Sequence, residues 1–179
     1  DYEFKEIQLT VPGQYTQEEG DNAAPAILPE LREWKGYTGN FTVAENAKVI
    51  IGGEALRPMA EAFAADYEDM TGKAMEIAVG EVEDVKAGEF FFELISVDKG
   101  LDEEGYLMEI KDIVTVQAEE TTGAFWATRT ILQALKANDM TTIPQGITRD
   151  YPLYEVRGYI LDVGRKTFTK DFLEDTVKQ

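Results

Sequence analysis

Between residues 54 and 71, Leu56, Met59, Ala60, Phe63, Ala64, Tyr67 and Met70 recur at three- and four-residue steps. That spacing puts them on one side of a helix, and such a side must be buried against a second layer. Pro58 falls in the first turn, where its missing N–H costs little, and Gly72 stands where a stop is needed. A second helix is predicted over 122–137, with Ala124, Thr128, Ile131 and Leu135 in line and Phe125 and Leu132 beside them. Around these helices the pattern changes to short strands over 41–43, 48–51, 74–79, 89–97, 105–110 and 113–118. Two helices set among such strands predict an α+β domain, a mostly antiparallel sheet with helices on one face.

The two ends differ in character. Residues 12–29 gather Pro12, Gly13, Gly20, Asp21, Asn22, Pro25 and Pro29, which is turn and linker chemistry. An irregular segment is therefore expected over 1–35, with one alternating, strand-like stretch at 4–11. Ile143-Pro144 and Asp150-Tyr151-Pro152 predict extended chain and a domain boundary near 150. From Arg157 to Arg165 the chain reads as a short apolar strand closing on a glycine and an arginine. A helix is predicted over 168–177, capped by Thr169, with Asp171 near its positive end and Phe172, Leu173 and Val177 on its apolar side. Strand, tight turn and helix form the repeating unit of a (β/α)8 barrel. The expected organisation is an irregular 1–35, an α+β domain over 36–150, and a truncated barrel opening over 151–179.

Composition narrows the chemistry. Lys and Arg number 17 against 35 Asp and Glu, a formal charge of −18 with neither histidine nor cysteine. Such a surface repels phosphate backbones and anionic lipid heads, so neither nucleic acid nor membrane is an expected partner. No apolar run approaches the ~18 residues that would span a bilayer. Without Cys or His there is no disulfide framework, no thiolate, no ordinary zinc site and no Ser-His-Asp triad. Asp98, Asp102, Glu103 and Glu104 share one loop but lack the alternating spacing of a calcium loop, so that loop reads as a solvated turn. No metal or cofactor is expected, and any chemistry falls to carboxylates.

Three stretches carry a resemblance. Arg157-Gly-x-x-Leu-Asp-x-x-Arg165 resembles the segment that opens the catalytic barrel of family 20 glycoside hydrolases. IPQGITRDYPLYEVRG, over 143–158, is similar to that family's passage from accessory domain into barrel. EGYLMEIKDIVTVQAEETTGAFWATRTILQAL, over 104–135, looks like the strand–strand–helix close of its α+β accessory domain. The resemblance spans residues 40–179, in the family's order.

It implies an exo-acting enzyme that removes terminal β-linked N-acetylglucosamine or N-acetylgalactosamine with retention of configuration. The substrate's own acetamido oxygen attacks the anomeric carbon, an exception to the two-carboxylate scheme. A glutamic acid protonates the leaving oxygen, and an adjacent aspartate orients the acetamido group. That pair belongs to a later barrel strand. Asp102-Glu103 lies in the wrong setting, so this chain by itself is expected to be inactive. Arg165 matches the family's sugar-binding arginine; the alternative, compatible with it, is an Asp162–Arg165 ion pair closing the turn, and Asp162 is read as mainly structural. Arg157, at the strand's other end, is implied to pack between domains. Many relatives carry histidine after the arginine, whereas Lys166 stands here, a form similar to the lacto-N-biosidase branch that releases a disaccharide. The expected partners are a glycan ending in β-N-acetylhexosamine and the rest of the barrel, in a secreted or cell-surface bacterial enzyme, with the cytoplasm left open. The alternative reading is a noncatalytic glycan- or protein-binding module built on the accessory domain.

Overall fold

The computed structural model describes residues 20–97, 99–158, 160–162 and 167–178. Seven strands form one sheet: β1 (Glu33–Thr42), β2 (Lys48–Ile51), β3 (Glu76–Val79), β4 (Phe90–Leu94), β5 (Tyr106–Ile110), β6 (Val114–Ala118) and β7 (Thr142–Asp150). Their spatial order is β1-β7-β5-β6-β4-β2-β3. Helices α1 (Arg57–Thr71) and α2 (Thr121–Lys136) lie within the unit, and α3 (Lys170–Lys178) follows it. The stretch 4–11 lies outside the described residues.

The helices and the strands from β2 to β6 fall where periodicity predicts them. Gly72 ends α1 in the left-handed region at φ 71°, its N–H donating to Glu68 O. Pro58 sits in the helix's first turn. Both helices cover the same face of the sheet. Met59, Ala60, Phe63 and Tyr67 of α1 share a core with Ala124, Ala127, Ile131 and Leu135 of α2 and with Val49, Ile51, Phe90, Phe92, Met108 and Val116. Phe63 meets Phe90 and Phe92 edge-on at 5.3 and 6.0 Å, a favoured arrangement of ring quadrupoles. On the opposite face a smaller cluster joins Ile50, Phe91, Val82 and Ile113. This is why all three phenylalanines of β4 are buried: the strand's two faces both have cover.

The α+β arrangement with helices on one face matches the sequence pattern, but the pairing does not. Among the described residues the sheet is evenly mixed. β1–β7, β5–β6 and β5–β7 are antiparallel, while β2–β3, β2–β4 and β4–β6 are parallel. Alternation along a strand tells which face is buried and says nothing of the neighbour's direction. The direction comes from the crossovers. Helix α1 returns the chain so that β3 runs with β2, and α2 does the same between β6 and β7, which flank β5.

The extended chain expected over 143–152 is largely β7, an interior strand. Pro144, which suggests a break, stands opposite Asn40, beyond the β5 ladder and beside an irregularity between Gly36 and Asn40. A missing N–H is tolerated at such a place. Gly146 is needed for contact: a Cβ there would lie 2.4 Å from Trp34 Cζ2, so the indole rests directly on the strand backbone.

Residues 20–32 carry neither helix nor strand, yet they are tied to the sheet. Asn22 accepts from Trp34 Nε1 at 2.9 Å, and its side-chain amide donates to Gly39 O and Gln145 O at 2.7 and 2.9 Å. One residue thus bridges β1 and β7.

The apolar strand expected from Arg157 is not formed among the described residues. Residues 155–158 and 160–162 are irregular, and Ile160 is 94% exposed. A strand exists by pairing, and no described strand pairs with this one. The helix after it does form. Thr169 caps α3 as predicted, its Oγ1 accepting from Phe172 N at 3.2 Å.

Candidate functional site: the groove beside the outgoing segment

Where β7 ends, the chain runs on past α2 and encloses a groove of about 860 Å³ lined by Leu28, Pro29, Met70, Trp126, Arg129 and Tyr154, among others. Its base is a polar knot. Tyr106 OH is hydrogen-bonded to Thr130 Oγ1 at 2.7 Å and donates to Asp150 Oδ2 at 2.9 Å, while Arg32 N donates to Asp150 Oδ1 at 3.0 Å. Four pieces of chain meet there: β5, α2, the end of β7 and the approach to β1. Burial pushes the Asp150 carboxyl above the usual aspartate range, against the pull of its donors. Burial likewise raises the Tyr106 phenol well above its ordinary value, and the Asp150 charge adds to this.

Arg129 links the two helices through an ion pair with Asp66 of α1 and stacks its guanidinium over Phe125 at 4.8 Å. At the rim, Glu104 Oε1 accepts from Arg157 Nη2 at 2.6 Å and from Trp126 Nε1 at 3.2 Å. Arg157 also donates from Nη1 to Tyr154 O at 2.7 Å. The Arg157 bond, then the Trp126 bond, hold the Glu104 carboxyl below its usual range despite partial desolvation. Glu104 therefore does more than the solvated turn its loop suggests. Nothing in the sequence flagged it, because its partners stand 22 and 53 residues away.

The groove's Asp150 and Glu104 serve its packing: Asp150 accepts from Tyr106 and from the backbone of Arg32 and Tyr151, and Glu104 accepts from Arg157 and Trp126 on one oxygen. No group of three or more His, Cys, Asp or Glu among the described residues could hold a metal. Its rim is instead apolar and open: Leu153 and Tyr154 are 59% and 68% exposed, and Leu28 is 82% exposed. Asp162 is exposed in the irregular stretch that follows. Arg165 and Lys166 lie outside the described residues, so no pairing of Asp162 with Arg165 is described.

One seven-stranded mixed sheet with α1 and α2 packed on one face defines a two-layer α+β domain. Among solved structures it resembles the family 20 exo-β-N-acetylglucosaminidase of Vibrio harveyi in complex with N-acetylglucosamine, with a TM-score of 0.67 at 18% identity, covering 91% of this chain and 25% of that one. The family model for glycosyl hydrolase family 20, domain 2, matches residues 24–151, and the chain belongs to that family. Among curated relatives it is 27% identical over 148 residues to a β-hexosaminidase of Porphyromonas gingivalis, covering 78% of this chain and 19% of that one. It is 25% identical over 154 residues to a lacto-N-biosidase of Bifidobacterium bifidum, covering 84% of this chain and 13% of that one. The chain thus spans less than a fifth of each curated relative.

Proposed function

We propose that this chain is the N-terminal portion of an exo-acting glycosidase that removes terminal β-linked N-acetylhexosamine from glycans. The observation that carries the reading is one of order: the family 20 match over 24–151 is followed, from Arg157, by Arg157-Gly-x-x-Leu-Asp-x-x-Arg165, the motif that resembles the barrel's opening. On this reading residues 151–179 begin a (β/α)8 barrel, and the irregular stretch from 155 becomes its first strand when barrel neighbours supply hydrogen bonds. Arg165 then stands just past the strand's C-terminal end, where barrel active sites lie. Its guanidinium presents donors in a fixed fork suited to adjacent sugar hydroxyls. Asp162 steadies the turn before it.

The reaction proposed is retaining and substrate-assisted. The acetamido oxygen forms the bond to the anomeric carbon while a glutamic acid protonates the departing glycosidic oxygen, and water opens the resulting oxazolinium. The Asp-Glu pair for these steps belongs to chain outside these 179 residues. A charge of −18 suits a protein that meets neutral glycans outside the cell or at its surface.

A second reading within the family, release of a disaccharide, is favoured by Lys166 after Arg165 and by the lacto-N-biosidase relative. The test is hydrolysis of chromogenic N-acetylglucosaminide, N-acetylgalactosaminide and lacto-N-bioside by the complete protein, with Arg165→Ala beside it. Activity on one substrate, reduced about 100-fold or more in the variant, supports the reading and names the branch. Silence on all three from folded protein overturns it in favour of a noncatalytic binding module.

A further inference from the structure

Beyond Tyr151, whose ring faces the guanidinium groups of Arg32 and Arg149, the outgoing segment is tied back through Arg157. Leu153, Tyr154, Val156 and Ile160 along it are mostly solvent-exposed, and the segment has no helix or strand of its own over 151–158. Arg157, its side chain 47% exposed, is the residue that reaches back to the folded unit. Its two guanidinium nitrogens are used separately, Nη2 on Glu104 in the loop before β5 and Nη1 on Tyr154 O of its own segment. Glu104 is in turn fixed by the indole N–H of Trp126 on α2. The carboxylate is thus oriented by the folded unit, and the guanidinium bends the segment into a short loop against it.

We propose that Glu104 and Arg157 are positioning residues: a clamp that sets the place and direction in which the chain from 158 onward leaves the accessory domain. The role rests on the glycosidase reading above. There the chain from 158 carries Asp162 and Arg165, and a small error in its departure becomes an error in where the sugar is held. Neither residue touches substrate. Their effect is exerted through the eight positions that separate Arg157 from Arg165. The geometry gives the clamp a direction that a lone surface ion pair lacks, since Trp126 fixes one partner and Tyr154 O the other.

Two measurements test it. In the 179-residue chain, Glu104→Gln is expected to speed tryptic cleavage after Arg157 by about twofold to fivefold, the range of a partly exposed charge pair, with the thermal midpoint unchanged. It should also shift the emission of Trp126, whose indole loses its charged acceptor, while Trp34 keeps Asn22 O. In the complete protein, Glu104→Gln and Arg157→Gln are each expected to raise KM for the hydrolysed N-acetylhexosaminide about tenfold with a smaller change in kcat. The double variant should be no worse than either single, and Arg157→Lys should recover part of the loss. Faster cleavage with unchanged KM would leave a clamp that positions nothing and overturn the proposal. So would single effects that simply add. A complete protein silent on every N-acetylhexosaminide removes the glycosidase reading and the positioning role with it, while the cleavage result still decides whether the clamp exists.

Discussion

The phenol of Tyr37 donates to Glu109 Oε1 at 2.8 Å, on the sheet face away from the helices, where Glu109 is only 2% exposed. Lys111 Nζ approaches the same oxygen at 3.6 Å, and Glu109 Oε2 has no hydrogen-bond partner among the described residues. Burial outweighs both partners and lifts the Glu109 carboxyl above the ordinary value of 4.5.

A raised carboxyl pKa means that the folded protein holds this proton more tightly than the unfolded chain. Its contribution to stability is complete below pH 4.5 and is lost as pH rises through the higher folded value. Glu109→Gln keeps an acceptor for Tyr37 and removes the charge. Its stability relative to the wild type should therefore grow as pH rises above 4.5 and level off once Glu109 is ionised in the folded protein. Urea titrations of both proteins from pH 4 to 8 check this, and parallel curves would refute it.

Tyr106→Phe removes the hydroxyl shared by Thr130 and Asp150 and keeps the ring in place. Asp150 retains the backbone N–H donors of Arg32 and Tyr151 but loses the phenol. A loss of about 1–3 kcal/mol is expected from the unsatisfied buried groups, read as a lower urea midpoint with an unchanged slope.

Gly146→Ala forces a methyl into the Trp34 ring and toward Lys35 O, 2.8 Å from the new carbon. Because one of the two neighbours is backbone, the strand itself must shift. The expected cost is about 1–3 kcal/mol together with a change in Trp34 emission. An alanine variant as stable as the wild type would mean that β1 and β7 are less rigidly registered than they look.

Phe63→Ala empties a site enclosed by Phe90 and Phe92, fully buried at the α1–sheet contact. The expected loss is about 3–5 kcal/mol, a large share of the roughly 5–15 kcal/mol of an ordinary domain, and a urea titration followed by circular dichroism tests it.

Hydrolysis is the last expectation. The 179-residue chain should release nothing from any of the three chromogenic substrates, since on the proposed reading the Asp-Glu pair that does the chemistry belongs to chain outside it. Turnover by the pure polypeptide would place the catalytic carboxylates inside it and undo the proposed division of labour.

The parts of this fold that the sequence makes legible are those whose signal is local. The stripe from Leu56 to Met70, the Gly72 stop and the Thr169 cap each involve residues within a few positions of one another. β7 was hidden because Pro144 and Pro152 read as punctuation, and what rescues Pro144 is the irregular register of β1, many residues away. Parallel pairing was hidden for a similar reason, as side-chain alternation is the same for either direction of the neighbour. The pattern from Arg157 to Asp162 suits a strand, but none of the described strands pairs with it. Arg165 and Asp162 could be singled out through family resemblance alone, since nothing in their spacing specifies a sugar. Glu104 and Trp126 carry no local mark at all.

The position of β7 bears on how load passes through the protein. The strand lies between β1 and β5, antiparallel to both, and the outgoing segment is its direct continuation. Tension on that segment does not peel a border strand away one bond at a time. It pulls on an inner seam stitched along both sides, so two rows of hydrogen bonds must slide together before the strand yields. Thermal jostling by whatever the segment is joined to reaches Asp150 first and is shared from there along both ladders.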